Sequence, residues 1–202
     1  MRRKTLDLLL TAIGAAMVLV LVVAGGLLMW GASFANNSVH DQLAQQQIYF
    51  PTKATFDHAK AGTEITPSMI PSVSQYAGQQ LLTGAQAEVY ANTFIAVHLS
   101  EMPYHGVYSK VSEASRAHPT TAKLAGLVQT TFQGTTLRGL LLEAYAFSMF
   151  GEIAFWASIA SFVLAGVMLV LALLGLVHNR RVAEDVEFPQ VHRHEPGEAE
   201  AA

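Results

Sequence analysis

The chain has 202 residues, of which 51% are apolar and 13% are charged, with a formal net charge of −3. The charged share is about half that of ordinary soluble domains, so much of the chain is expected to avoid water. The sequence contains no cysteine, which excludes disulfides, thiol catalysis and thiolate metal sites. In the segment between the two long apolar runs, six Lys and Arg stand against eight Asp and Glu, which offers no basic surface for nucleic acid.

The first predicted element is an uncharged apolar run over residues 8–30, which follows a short basic start. As a helix it would be about 34 Å long, enough to cross a hydrocarbon core of about 30 Å. We interpret it as the first transmembrane helix, with residues 1–7 as a cytoplasmic N-terminus. The alternative is a secretory signal peptide that is cleaved after Ala35, which would leave one span in the mature protein.

Residues 31–152 are predicted to form an extracytoplasmic helical domain, because apolar residues recur there at helical spacing and alternating strand patterns are scarce. Helices are predicted over 38–50, 83–102, 108–117 and 121–132, and a loop over 51–72. The first of these helices either begins at Ser38 or continues the first span. Thr83 and Gln86 have the spacing of a capping box, and Gly134 is expected to end the fourth helix. The fold class is therefore predicted as all-α.

A longer helix is predicted from Thr135, because leucine, alanine and phenylalanine recur on one face and no proline follows through residue 178. Gly139 and Gly151 are weak points within it. This helix is expected to become a second transmembrane helix over the uncharged residues 153–177. Residues 178–202 are predicted to form a disordered, acidic cytoplasmic tail.

The distribution of basic residues near the ends of the two spans predicts their orientation. Arg2, Arg3 and Lys4 precede the first span, and Arg180 and Arg181 follow the second. Basic residues flank transmembrane helices mainly on the cytoplasmic side. Both termini are therefore predicted to be cytoplasmic, in a multi-pass protein of the cell membrane.

The second span carries a heptad row that is small at six of its seven positions. The row consists of Ala154, Ser158, Ser161, Ala165, Met168, Ala172 and Gly175. Small side chains allow the close backbone approach on which helix association in lipid depends. The row therefore predicts a helix-packing seam. The first span offers a row at matching spacing, formed by Thr11, Ala15, Val18, Val22 and Gly25. The seam's partner is the first span, a second copy of the chain or another protein.

The stretch HLSEMPYH over residues 98–105 has the ligand types of a non-haem iron site. The three potential ligands are His98, Glu101 and His105. An unbroken helix would present all three on one face, but Pro103 is expected to end the helix near Glu101 or Met102. His98 is then expected to lie on the apolar face with Phe94. We predict that no cofactor is bound, with iron or another divalent metal at these residues as the alternative.

Four stretches of the chain resemble a family of small two-span membrane proteins that is widespread in actinobacteria. They cover residues 2–10, 40–51, 76–99 and 136–147, and the similarity extends over most of residues 2–181. The resemblance implies a two-span topology in a bacterial envelope, and it brings no established activity. Some members carry an automated label of aromatic ring-opening dioxygenase, which directs attention to HLSEMPYH.

The function favoured by these patterns is that of a non-catalytic accessory or scaffold protein of the cell envelope. The expected partners are the lipid bilayer and either a membrane protein or a second copy of the chain. An alternative is an extracytoplasmic metal-dependent enzyme, similar to a dioxygenase, that uses His98 and Glu101. A second alternative is a membrane sensor that relays an external signal to the tail.

Overall fold

The computed structural model describes residues 3–181, and the predicted disordered tail from residue 182 onward lies outside the described residues. The described chain divides into two compact units. Residues 3–27 and 157–181 form the first, which we call the helix-pair unit. The residues from Leu28 to Trp156 form the second, which we call the central unit.

Every regular element in the described part of the chain is helical, which confirms the all-α fold class there. The helices in chain order are α1 (Arg3–Gln46), α2 (Lys53–Phe56), α3 (Ile70–Val73), α4 (Gly84–Val89), α5 (Ala96–Glu101), α6 (Tyr108–Ala117) and α7 (Ala122–Arg181). A π-helical segment joins α4 to α5, and short 3₁₀ turns follow α3 and α5. One isolated antiparallel bridge pairs Tyr49 with Gln80.

Helices α1 and α7 have 44 and 60 residues, and each is long and apolar enough to cross a membrane. Ser38 does not start a helix, because α1 continues through it to Gln46. Helix α1 stops there because the next residue, Gln47, has a left-handed φ of 53°, which cannot continue a right-handed helix. Of the two interpretations of residues 38–50, continuation of the first apolar helix is therefore the one the structure adopts.

The prediction of a separate helix over 121–132 was wrong, because α7 begins at Ala122 and passes without a break through Gly134. A glycine inside a helix costs about 1 kcal/mol relative to alanine. Packing explains why it is tolerated here: a Cβ on Gly134 would lie 2.9 Å from Leu99 Cδ2. The missing side chain lets Leu99 pack directly on the backbone of α7.

The core of the central unit is built partly by a segment that was predicted as a loop. Residues 51–72 contain α2 and the start of α3, and their Ile65 and Met69 are 1% and 0% exposed. Leu43, Ala87, Leu99 and Leu141 of α1, α4, α5 and α7 add to this core, as do Phe50 and Leu81 from the segments that connect the helices. Helices of four residues are too short to produce a helical apolar period, so the sequence pattern could not predict them.

The capping box predicted at Thr83 and Gln86 is confirmed at the start of α4. Thr83 Oγ1 accepts a hydrogen bond from the Gln86 backbone N–H, and Gln86 Oε1 accepts from the backbone N–H groups of Leu82 and Thr83. Gln86 is buried and also donates through Nε2 to Gln79 Oε1. The box therefore fixes both the start of α4 and the loop before it.

Loss of this cap should destabilise the central unit measurably. We expect Thr83→Ala to lower the free energy of unfolding by about 1 kcal/mol, because one N–H at the helix start loses its acceptor. Thr83→Ser keeps the hydroxyl and is the matched control. Chemical denaturation of the full chain in detergent measures both; equal stability of the Ala and Ser variants would contradict the role of the cap.

Candidate functional site

The stretch HLSEMPYH forms a helix end, as expected from its proline. Helix α5 ends at Glu101, and Met102 is extended with φ −73° and ψ 157°. Pro103 then begins a 3₁₀ turn in which Tyr104 and His105 have φ values of 59° and 54°. Left-handed backbone is uncommon for residues other than glycine, so these two residues mark a sharp change in chain direction.

His98 lies on the apolar face of α5, and its ring is held by Phe94 in the π-helical segment that precedes α5. Its Nδ1–H donates to the Phe94 carbonyl oxygen at 2.8 Å, and the two rings meet edge to face with centroids 4.6 Å apart. Glu101 and His105 are exposed. Over residues 3–181 no three His, Asp or Glu side chains are grouped so that they could hold one metal ion. The three potential ligands are therefore not grouped in the described part of the chain; the absence of a cofactor stays a prediction, with a metal at these residues as its untested alternative.

A row of aromatic rings leads from the core of the central unit to His98. It runs through Phe50, Tyr90 and Phe94, with successive ring centroids 5.5 Å and 4.8 Å apart, and Tyr76 packs on Phe50 at 5.2 Å. Tyr90 and Phe94 lie in the π-helical segment Tyr90–Ile95. Such segments insert one extra residue into a helix and occur often near functional sites. Helical periodicity gave no signal for it, because one inserted residue changes the period only locally.

Tyr90 gives the central unit a predicted dependence on pH. Burial raises the pKa of the Tyr90 hydroxyl above its usual value of about 10, and the Glu64 carboxylate raises it further. A raised pKa in the folded state means that stability is present below the unfolded pKa and is lost as pH rises through the folded pKa. We therefore expect the free energy of unfolding to fall above about pH 10.

The measurement compares the full chain with Tyr90→Phe in denaturation experiments at alkaline pH. The phenylalanine variant should lose part of the alkaline decline, because it has no phenol to ionise. Tyr49→Phe, at an exposed tyrosine, is the control. Identical alkaline profiles for wild type and Tyr90→Phe would show that ionisation of Tyr90 does not affect stability.

The seam residues of α7 lie on the face that packs against α1 within the helix-pair unit. Ser158, Ser161 and Ala165 are 0%, 7% and 4% exposed, and the adjacent leucines and valines of α7 are exposed. Ser158 Oγ donates to the Gly25 carbonyl oxygen at 3.0 Å, and Ser161 Oγ donates to the Leu21 carbonyl oxygen at 2.7 Å. Ala172, Gly175 and, in the central unit, Ala154 are half-buried.

The complementary face of α1 differs in part from the row proposed from the sequence. Thr11, Val18 and Gly25 lie on it, whereas Ala15 and Val22 are exposed. Their places are taken by Gly14, which is buried, and by Leu21, which is half-buried. A Cβ on Gly14 would lie 3.6 Å from Ala172 Cβ, an ordinary van der Waals contact, so Gly14 faces Ala172 across the helix pair.

The central unit carries an apolar groove of about 470 Å³ between α1 and α7, which we call the central groove. Its floor includes the buried Val39, Leu43 and Leu141. Exposed apolar side chains line its sides: Phe34, Leu137, Leu140 and Phe147 are 56%, 36%, 58% and 40% exposed. Polar side chains at the groove are Ser38, Gln42, Gln46 and Glu143.

Only the α7 side of the central groove was indicated by the sequence. The α7 half was evident in the sequence as an apolar helical face formed by Leu137, Leu140, Leu141, Ala144 and Phe147. The row on α1 is mixed, with glutamines between apolar residues, and carries no comparable signal.

Comparisons of the chain with protein-family models, curated protein sequences and solved structures found no match.

Proposed function

We propose that this chain is a membrane-anchored accessory or scaffold protein of the bacterial cell envelope that binds a partner protein and catalyses no reaction itself. It crosses the membrane twice, through residues 8–30 and 153–177, with both termini in the cytoplasm and residues 31–152 outside. The length and apolar character of α1 and α7 support the two spans. The basic residues that flank the spans and the resemblance to an actinobacterial two-span family support the orientation and the envelope.

The observation that carries the partner-binding role is the central groove. Monomeric proteins seldom leave a contiguous apolar surface open to solvent unless a partner or ligand covers it. Phe34 follows the first predicted span by four residues, so the groove begins close to the outer membrane surface. A partner anchored in the same membrane would reach it without a long extension.

The occupant we propose for the groove is an amphipathic helix of a second protein. The lining row on α1 runs from Phe34 to Gln46 and the row on α7 from Leu137 to Phe147, which correspond to about 18 Å and 15 Å of helix. Two such rows accommodate about three helical turns, the length usual in helix-in-groove recognition. Glu143 is the one charged side chain of the described lining, so a lysine or arginine at the edge of the partner helix would complement it.

The test places a photo-crosslinking amino acid at Leu140 in intact cells. We expect a discrete crosslinked product whose partner peptide, mapped by mass spectrometry, is an amphipathic helix with a basic residue at its edge. The same amino acid at Ala146, an exposed α7 position on a different face from the groove, is the matched control and should give no such product. Phe34→Asp should weaken the product at Leu140 by about thirtyfold or more, because it places a charge in the apolar groove.

Three outcomes would contradict this role of the groove. Equal crosslinking from Leu140 and Ala146 would show that the groove is not selective. A product that Phe34→Asp leaves unchanged would show that binding occurs elsewhere. A peptide of this same chain in the crosslink would assign the groove to a homo-oligomer in place of a different partner.

A further inference from the structure

The helix-pair unit contains a cavity of about 260 Å³ between the first turns of α1 and the last turns of α7. Leu10, Met168 and Leu171 form its apolar walls, and Asp7, Thr11 and His178 supply its polar groups. We call it the Asp7 cavity. The cavity is kept open by small residues.

Gly175 is the clearest of these small residues. A Cβ on it would lie 2.8 Å from Thr11 Oγ1, so any larger side chain would displace the threonine hydroxyl. Gly14 and Ala172 line the same space and extend it along the helices. The space therefore comes from the same small-residue face that packs α7 against α1.

The polar groups of the Asp7 cavity are arranged to accept hydrogen bonds. Asp7 Oδ2 is buried and has no hydrogen-bond partner among the described residues. The Thr11 hydroxyl donates its proton to the Asp7 backbone carbonyl at 2.8 Å, which leaves the lone pairs of Thr11 Oγ1 as acceptors. A buried carboxylate oxygen without a donor is costly, so a donor that reaches it gains binding energy.

We propose that the Asp7 cavity binds a primary ammonium group. An ammonium donates charge-assisted hydrogen bonds to Asp7 Oδ2 and Thr11 Oγ1, and the carbon atoms next to it pack against Leu10 and Met168. The apolar walls do not suit a metal ion that retains its hydration waters. A quaternary ammonium has no N–H group and cannot make these hydrogen bonds, so the site should prefer a primary ammonium group to a quaternary one.

The chemistry fits two sources, the amine headgroup of an aminophospholipid and a small soluble amine. The lipid source rests on the membrane topology in the proposed function, which places the polar end of the cavity, with Asp7 and His178, at the cytoplasmic headgroup level. Asp7 immediately precedes the first predicted span, and His178 immediately follows the second. Lipid heads would then lie at the height of the cavity.

The experiment uses the full chain, purified in detergent and reconstituted into nanodiscs with equal amounts of phosphatidylethanolamine and phosphatidylcholine. Native mass spectrometry measures which lipid remains bound after partial delipidation. We expect phosphatidylethanolamine to be retained about tenfold more than phosphatidylcholine, as one charge-assisted hydrogen bond allows. Asp7→Asn keeps the shape, removes the charge and should abolish the preference. Asp41→Asn, at an exposed carboxylate of the central unit, is the matched control.

A second variant keeps the test decisive if Asp7→Asn folds poorly. Thr11→Val removes the second acceptor with little change in volume and should reduce the preference severalfold. Added ethanolamine separates the sources: displacement of bound phosphatidylethanolamine supports a soluble amine, and persistence of the lipid supports the headgroup. Equal retention of both lipids by wild type, or the same preference in Asp7→Asn and Asp41→Asn, would overturn the site.

Failure of this site and failure of the proposed function give different results. A chain that alkaline carbonate releases from membranes would contradict the two spans, and the lipid source with them. A chain that resists extraction but shows no preference for the primary ammonium would overturn the Asp7 cavity alone.

Discussion

Gly25→Leu should destabilise the helix-pair unit by about 2–3 kcal/mol, while Gly26→Leu should leave its stability nearly unchanged. A Cβ on Gly25 would lie 3.0 Å from the ring of Phe162, and the Gly25 carbonyl oxygen accepts the hydrogen bond of the buried Ser158. Leucine at this position therefore separates the helices and also strains that hydrogen bond. Gly26 has no neighbour within 4 Å of an added Cβ, so leucine there extends into open space.

The two glycine variants form a matched pair because they differ by one position on the same helix. Both exchange glycine for a residue of higher helix propensity, so that contribution cancels in the comparison. Titration of the full chain in mild detergent with sodium dodecyl sulfate, followed by circular dichroism, measures the stability of the helix pair. Equal midpoints for the two variants would show that close packing at Gly25 contributes nothing.

Phe50→Ala should lower the free energy of unfolding of the central unit by about 3–5 kcal/mol and should disrupt its cooperative unfolding. Phe50 is 2% exposed, and its ring packs against both Tyr76 and Tyr90. Truncation removes the ring that joins the segment after α1 to the π-helical segment, and it leaves a cavity that the rigid neighbours cannot fill completely. The loss of unfolding free energy is therefore expected to lie near the upper end of the range for single substitutions.

The control for Phe50→Ala is Phe132→Ala, at a phenylalanine that is 49% exposed and packs on Tyr108 at 5.8 Å. It removes the same atoms from a solvated position and should cost about 1 kcal/mol or less. Near-ultraviolet circular dichroism and limited proteolysis of the full chain in detergent follow the central unit. Similar losses for the two variants would contradict the central place of Phe50 in the core.

Features encoded by local chemistry were predictable from the sequence. The two apolar runs, the capping box at Thr83 and the helix end before Pro103 each depend on residues within one or two turns. The same holds for α6, which was predicted over 108–117 and spans Tyr108–Ala117. In each case the deciding interaction is made by neighbours along the chain, so one sequence is sufficient to identify it.

Features that depend on distant packing were not predictable in the same way. Gly134 was expected to end a helix, but Leu99 of another helix fills the space that its missing side chain leaves. The face of α1 was assigned with Ala15 and Val22, although Gly14 and Leu21 follow an equally valid heptad spacing. The observed phase places Gly14 against Ala172 of α7, a contact with a distant part of the chain that the sequence of α1 alone does not specify.

The candidate site shows the same division between local and distant interactions. Pro103 correctly indicated that HLSEMPYH would not present three ligands on one helical face. The central groove was missed because its second row belongs to α1, about one hundred residues earlier in the chain. Nothing in the apolar face of α7 between Leu137 and Phe147 indicates whether another helix of the chain covers that face.

The absence of cysteine from the chain allows the proposed topology to be tested with single introduced thiols. Ala117→Cys lies at the exposed end of α6, and Ala183→Cys follows the second predicted span. A membrane-impermeant maleimide is applied to intact cells and then to permeabilised cells. The two-span topology predicts that Ala117→Cys is labelled in both and Ala183→Cys only after permeabilisation. Labelling of Ala183→Cys in intact cells, or protection of Ala117→Cys in them, would contradict it.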